Sequence, residues 1–158
     1  CLTQLNNFNG VFSIMSGLNS NSIHRLKTTW EAIPQKSMDV FDELSKLVAP
    51  AASFKNARAA LASITLPCIP YMGIYLTDLT FIEDGNSDNK DGLINFSKRR
   101  LLSSVIRDIQ MYQTPYNLEP VPELKSQLEN LEPREYAELY KLSLVVEPRG
   151  KKRKKKKK

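Results

Sequence analysis

Residues 67–86, PCIPYMGIYLTDLTFIEDGN, and residues 93–100, LINFSKRR, contain the pattern that decides the fold. The prolines at 67 and 70 predict an extended connector, and the run after them predicts a helix from Tyr71 to about Asp84. Four residues of this helix recur at i, i+3, i+4 and i+7 and therefore share one face: Thr77, Thr80, Phe81 and Asp84. Three apolar residues on the opposite side are expected to anchor the helix to a core: Tyr75, Leu79 and Ile82.

A second long helix is predicted from Leu93 to Tyr112. A polar loop precedes it, in which Gly85 or Asn86 is expected to take a left-handed conformation and end the first helix. Four apolar residues of the second helix form a predicted buried stripe: Leu102, Val105, Ile106 and Ile109. Two consecutive helices joined by a polar loop predict a protruding antiparallel helical hairpin over about residues 71–112.

The rest of the chain also shows helical patterns and lacks the alternation that predicts strands. Proline at positions 34 and 50 ends two of the helical segments, because proline disfavours helix at the residue before it. Ser37 is expected to cap the helix that follows Pro34. Further helices are predicted over residues 8–18, 22–33, 37–47, 54–64, 123–131 and 135–144. The predicted fold class is therefore all-α.

Composition excludes several kinds of chemistry. The 158 residues are 41% apolar and 25% charged, as in an ordinary soluble domain. Two cysteines, Cys1 and Cys68, do not make a disulfide framework or a metal site, and Cys68 is expected to be a small buried residue. A single histidine, His24, removes most metal-ligand and acid–base arrangements. We therefore expect no cofactor, no metal and no covalent chemistry.

The positive charge is concentrated at the end of the chain. Residues 151–158, KKRKKKKK, carry eight positive charges, and subtracting these from the net +6 leaves −2 on residues 1–150. The body therefore does not resemble a nucleic-acid binder, and residues 150–158 are expected to form a disordered polybasic tail. Three interpretations remain for Lys151–Lys158: recruitment to an anionic membrane, a nuclear-import or nucleic-acid patch, and no cellular role. With no signal peptide and no membrane span in the sequence, we expect a cytoplasmic protein, and membrane recruitment places it at the inner face of the plasma membrane.

Two polar features of the hairpin have competing interpretations. The threonine–aromatic–acid stripe is a candidate partner surface, although periodicity alone favours a solvated helix face. Three basic residues at the start of the second helix are candidates to face a phosphate, although such a run is usually solvated: Lys98, Arg99 and Arg100.

The hairpin closely resembles that of the catalytic domain of Ras-type guanine-nucleotide exchange factors (RasGEF). Three further segments match the family in the same order: residues 5–34, LNNFNGVFSIMSGLNSNSIHRLKTTWEAIP; residues 112–118, YQTPYNL; and residues 143–149, SLVVEPR. The resemblance covers nearly all of residues 1–149 and implies a larger all-α domain. Residues 1–149 are then its C-terminal portion, and further family helices lie N-terminal to Cys1.

The resemblance implies an exchange factor for a Ras-like small GTPase of Ras, Rap or Ral type. In the family the hairpin wedges beside the nucleotide without making or breaking a bond, so such a protein is not an enzyme in the covalent sense. The position of Thr80 lies near the magnesium site, where relatives can carry a leucine, and the position of Asp84 is usually a glutamate. Thr77, Phe81 and Asn86 then belong to the partner-binding surface. Four residues match a second contact region, an apolar pocket with polar edges for the other switch of the GTPase: Phe12, Asn19, Phe54 and Tyr71.

A non-catalytic GTPase-binding scaffold of the same fold is the main alternative. Asp84 is one methylene shorter than glutamate, Thr80 is smaller and more polar than leucine, and Asn21 stands where relatives often have a serine. A polybasic membrane or RNA adaptor is a third hypothesis. For Phe12 and Phe54, core packing is at least as good an explanation as partner contact, whereas Asn19 is the more telling residue if its amide is buried.

Overall fold

Helical spacing in the sequence becomes helix in the structure along most of the chain, which confirms the all-α fold class. The computed structural model describes residues 1–149, and the predicted polybasic tail lies outside them. The elements in chain order are α1 Phe8–Leu18, α2 Asn21–His24, α3 Lys27–Glu31, α4 Gln35–Val48, α5 Ala51–Ser63, α6 Met72–Gly85, β1 Asn89–Lys90, β2 Leu93–Ile94, α7 Phe96–Met111, α8 Pro122–Glu129 and α9 Tyr136–Val146. The described chain divides into two compact units, residues 1–15 with 42–117 and residues 16–41 with 118–149.

The core of the first unit joins α1, α5, the connector before α6, and α6 itself. Its buried side chains are Phe8, Phe12, Ala57, Leu61, Cys68, Ile74 and Tyr75. The connector is fixed to the start of α1 by backbone hydrogen bonds, since Asn9 N donates to Ile69 O and Ile69 N donates to Asn6 O. Cys68 is 2% exposed, which confirms that this cysteine is a small buried residue, and burial raises the pKa of its thiol to about 11.

The first turn of α5 departs from a right-handed helix. Ala52, Ser53 and Phe54 have φ values of 49°, 54° and 61°, a region that side chains other than glycine adopt at a cost. Phe54, the first residue of the predicted helix 54–64, therefore lies in the irregular start of α5. That start positions its ring beside the core.

The connection between α6 and α7 differs from the prediction. Neither Gly85 nor Asn86 is left-handed; the left-handed pair is Asp91 and Gly92, with φ values of 55° and 78°. This Asp-Gly pair turns the antiparallel strands β1 and β2, a common signal for a short hairpin. The second helix consequently begins at Phe96 rather than Leu93, because Leu93 and Ile94 pair with β1.

Three further predictions about helices are corrected. Helix 22–33 is divided into α2 and α3 at Arg25 and Leu26. Ser37 is not a cap, because α4 begins at Gln35 and the Pro34 carbonyl accepts hydrogen bonds from the next turn. In the predicted stripe of α7, Ile106 is exposed, whereas Val105 and Ile109 pack against the core.

In the second unit, the end of α9 is bound to α2 and α3. Arg25 donates to the carbonyls of Ser143 and Glu147, each at 2.6 Å, and its guanidinium lies 5.8 Å from the centre of the Tyr140 ring. The Glu147 carboxylate accepts from the backbone N–H groups of Thr28 and Thr29 at the start of α3. Burial acts to raise the pKa of Glu147, but these hydrogen bonds outweigh it and hold that pKa below its usual value.

Candidate functional site

The helices α6 and α7 run antiparallel. Near the start of α6, the Tyr75 hydroxyl lies 2.9 Å from the hydroxyl of Tyr112, directly after the end of α7. Near the end of α6, Glu83 forms an ion pair with Lys98 in the first turn of α7. Burial raises the pKa of the Tyr75 phenol, and the Tyr112 hydroxyl adds to this effect, so Tyr75 stays neutral.

The predicted stripe on α6 is exposed along its length. Its members are Thr77, Thr80, Phe81 and Asp84, and the Phe81 side chain is 68% exposed. The hydroxyls of Thr77 and Thr80 donate to helix carbonyls four residues earlier, at 2.7 and 3.0 Å, which leaves their lone pairs available to accept. The Asp84 carboxylate has no hydrogen-bond or ion-pair partner within residues 1–149. The stripe therefore presents a free carboxylate, two hydroxyl acceptors and one aromatic ring.

The opposite face of α6 holds the helix in place. Ile74 is fully buried and Tyr75 nearly so, while Leu79 and Ile82 are half-buried. In addition, Arg58 of α5 binds both oxygens of Asp78, at 2.8 and 2.7 Å, and this pairing raises the pKa of the guanidinium. Sequence reasoning found the apolar side but missed Ile74 and the Arg58–Asp78 pair, since nothing local to either residue signals the other.

The distal segment, residues 86–95, is ordered by side chains that bind backbone. The Asn86 amide closes α6 by donating to Ile82 O at 3.0 Å. The Asn95 side chain accepts from Lys98 N at 3.2 Å, which caps α7, and it donates to Ser87 O at 2.9 Å. Asn86 is half-buried and ends α6 through its side chain; it was predicted both to end this helix and to belong to the partner-binding surface.

Three of the four residues predicted for the second contact region come together. The rings of Phe12 and Tyr71 stack with centroids 4.0 Å apart and an interplanar angle of 8°. Phe54 lies against both of them, at 5.9 and 6.1 Å. Phe12 is buried, while Phe54 and Tyr71 are half-buried, so this aromatic trio is both part of the core and partly accessible.

Asn19 is the fourth residue predicted for this region. It belongs to the second unit, directly after the end of α1, and it is exposed. Within its own unit it lines an open cavity of about 1150 Å³ between α2 and α9, together with Ser20, Ile23, Tyr136 and Tyr140. Because Asn19 follows the last residue of α1, no further helical turn covers it. The periodicity of α1 therefore does not predict whether Asn19 is buried.

Residues 1–149 contain neither a candidate metal site nor a candidate membrane-spanning helix. Their His, Cys, Asp and Glu side chains form no group able to hold a metal ion. None of their helices has the length and apolar character that crossing a bilayer requires.

The comparisons with known proteins identify the family. The model of the RasGEF domain matches residues 1–100, which is more than half of the chain, and the chain therefore belongs to the RasGEF family. It is 46% identical over 154 residues to Ras guanine nucleotide exchange factor I of Dictyostelium discoideum, covering 97% of this chain and 19% of that protein. It is 44% identical over 148 residues to Ras-specific guanine nucleotide-releasing factor 2 of Danio rerio, covering 92% of this chain and 12% of that protein. The chain thus spans about a fifth or less of the length of these relatives.

Proposed function

We propose that this chain is the part of a guanine-nucleotide exchange factor that releases GDP from a Ras-like small GTPase of Ras, Rap or Ral type. The observation that carries the proposal is the exposed stripe of α6, whose helix is held from behind by Ile74, Tyr75 and the Arg58–Asp78 pair. A rigid helix with an unpaired carboxylate is suited to enter a polar site on a partner. The named functions of the relatives support the same class of partner.

Exchange requires the partner and the nucleotide to weaken each other's binding. A nucleotide held with a Kd of order 10⁻¹¹ M has a binding free energy of about 15 kcal/mol in favour of the complex. A competing surface must offset several kcal/mol of this free energy. In our proposal the Asp84 carboxylate takes the place of a phosphate against the donors of the GTPase, and Thr80 occupies space near the magnesium site. No covalent bond changes in this scheme, and Thr77 and Phe81 extend the contact along α6.

The aromatic trio is the proposed second contact. Phe54 and Tyr71 expose part of their rings while Phe12 holds them from the core side. Aromatic rings that are fixed and half-exposed bury much apolar area on binding at little entropic cost. This region therefore supplies affinity, while the α6 stripe acts on the nucleotide.

Release of a fluorescent guanine nucleotide from Ras, Rap and Ral tests the proposal. The full-length protein is expected to accelerate release from at least one of them. Asp84→Ala should lower the rate by roughly 10²-fold, the scale at which removal of one preorganised charged or donor group acts. Asp42→Ala, which removes an exposed aspartate of α4, serves as the matched control and should leave the rate unchanged. No acceleration with any of the three GTPases rejects exchange activity.

A non-catalytic scaffold is the second candidate. It is favoured by the short Asp84 side chain and by the threonine at position 80, both of which reduce the reach and bulk of the stripe. A scaffold binds the nucleotide-free GTPase without accelerating release. Measuring binding and release on the same protein therefore separates the two functions.

For the tail, Lys151–Lys158, we propose recruitment to an anionic membrane from the cytoplasm. Each basic residue near such a surface contributes about 1 kcal/mol, and a lipid-anchored GTPase would be met there. Vesicles containing phosphatidylserine should bind the protein in a salt-sensitive manner. Deleting residues 151–158 should abolish that binding, and unchanged binding without them rejects the proposal.

A further inference from the structure

Lys98 is almost completely buried, in contrast to the solvated position expected for it. Its side chain is 3% exposed, and its ammonium group forms ion pairs with Glu83 and with Asp88, the latter at 3.0 Å. The same group donates to the backbone carbonyl of Glu83 at 3.4 Å. A lysine is rarely buried to this degree unless it is paired, and here its three N–H donors have three partners.

The neighbouring basic residues differ from Lys98. Arg99 is 45% exposed and pairs with Asp88, and Arg100 is exposed on the surface of α7. If a basic residue of this run contacted a phosphate, Arg99 or Arg100 would be accessible for it. Lys98 is inaccessible, so its contribution must pass through the residues that it holds.

These residues belong to three different segments. Glu83 lies in the last turn of α6, Asp88 lies in the distal segment, and Lys98 itself lies in the first turn of α7. The last carbonyls of a helix have no partner within the helix, and Lys98 supplies one to Glu83 O. Asp84 follows Glu83 directly, so the turn that Lys98 holds is the turn that carries the free carboxylate of the stripe.

The carboxylates that bind Lys98 remain close to water. The side chains of Glu83 and Asp88 are 51% and 59% exposed, so each can be solvated without the lysine. Removing the ammonium group therefore does not leave a buried unpaired charge. It removes a link between the two helices, and the buried stem of the side chain can be kept by methionine.

We propose that Lys98 is a positioning residue that fixes the last turn of α6, and with it Asp84, relative to α7. This inference rests on the proposed exchange function, because positioning Asp84 matters only if Asp84 acts on the nucleotide. Displacing a reacting group by about 1 Å can cost roughly 10²-fold in rate, which gives the positioning a measurable consequence. The effect of Lys98 then depends on the presence of Asp84.

A double-mutant cycle in the full-length protein tests this dependence. Lys98→Met is expected to lower the maximal rate of nucleotide release between about 10-fold and 10²-fold. In an Asp84→Ala background the same substitution should lower the rate by less than about 3-fold, because the carboxylate to be positioned is absent. An equal loss in both backgrounds overturns the proposal, since a general loss of structure would act on both alike. Lys98→Arg retains the charge and should recover part of the rate, limited by the larger planar group.

The matched control is Lys125→Met, which breaks the exposed Lys125–Glu129 pair on α8 and should leave the rate unchanged. Amide hydrogen exchange provides a readout that does not depend on activity. Residues 82–96 should exchange faster in Lys98→Met and remain unchanged in Lys125→Met. Unchanged exchange at residues 82–96 in Lys98→Met overturns the proposal even if the wild-type protein releases nucleotide. If the wild-type protein does not release nucleotide, the exchange function is rejected instead. Hydrogen exchange at residues 82–96 then still tests whether Lys98 fixes the last turn of α6.

Discussion

At the proximal end of the α6–α7 pair, Tyr75, Ile74 and Tyr112 pack into or against the core of the first unit, whereas at the distal end Lys98 joins two exposed carboxylates. The proximal end removes apolar surface from water, and that term dominates folding stability. The distal end is polar, and Leu93, Ile94 and Phe96 around it are exposed. The difference indicates that the proximal end determines whether the helix pair forms. The distal end determines how the last turn of α6 and the first turn of α7 are arranged.

Ile74→Ala tests the proximal end and should give the largest effect. Ile74 has no exposed surface, so truncation leaves a cavity and should lower the free energy of unfolding by about 2–5 kcal/mol. Urea unfolding followed by circular dichroism measures this loss. Leu76→Ala, on the exposed side of the same helix, should change it by less than about 0.5 kcal/mol. Equal losses for the two variants contradict the assignment of buried and exposed faces.

Gly73→Ala should have the next largest effect, through the aromatic trio. A Cβ at position 73 would lie 2.5 Å from Cζ of Tyr71, and that ring is stacked on Phe12. Relieving the overlap must displace the ring, at a cost typical of overpacking, about 1–3 kcal/mol. Gly85→Ala is the control, because an added Cβ meets nothing there. If Gly73→Ala is as stable as Gly85→Ala, the stacked arrangement is incorrect.

Tyr75→Phe isolates the polar contact at the proximal end. The ring keeps its packing while the hydroxyl contact with Tyr112 is lost, so stability should fall by about 0.5–1.5 kcal/mol. The Tyr112→Phe variant removes the same contact from the other side. The double variant should therefore lose less than the sum of the single variants, and strict additivity would argue against a bond between the two hydroxyls.

Acid should loosen the distal end before the proximal end. Hydrogen bonding to Lys98 holds the pKa of Asp88 below its usual value, and hydrogen bonding to Glu83 raises the pKa of Lys98. The contribution of Asp88 is therefore complete above its unfolded pKa of about 4 and disappears as pH falls through its lower folded value. The raised pKa of Lys98 keeps that group charged throughout this range. As pH falls through this range, amide exchange at residues 82–96, corrected for intrinsic rates, should accelerate. The amides of residues 72–78 should stay protected at the same pH.

The sequence predicted much of the fold and of the candidate site. The spacing of Thr77, Thr80, Phe81 and Asp84 placed them on one face, and in the structure that whole face is exposed. The connection at Asp91 and Gly92 was also open to prediction, because Asp-Gly is a strong hairpin signal, but the helical pattern after it obscured the two short strands. Features that depend on a short stretch of sequence, such as the shared face of α6 and the Asp91-Gly92 turn, can therefore be predicted from the sequence.

What the amino-acid sequence determined by itself is the helical periodicity, the faces that residues share and the membership of a family. Only the tertiary structure decided that Lys98 is buried while Arg100 is exposed, and that Ile106 and Asn19 are exposed. The physical reason is that the burial of a side chain, whether charged, polar or apolar, depends on contacts with other segments of the chain. The carboxylates that allow Lys98 to be buried lie 15 and 10 residues before it, and chain folding alone brings all three together.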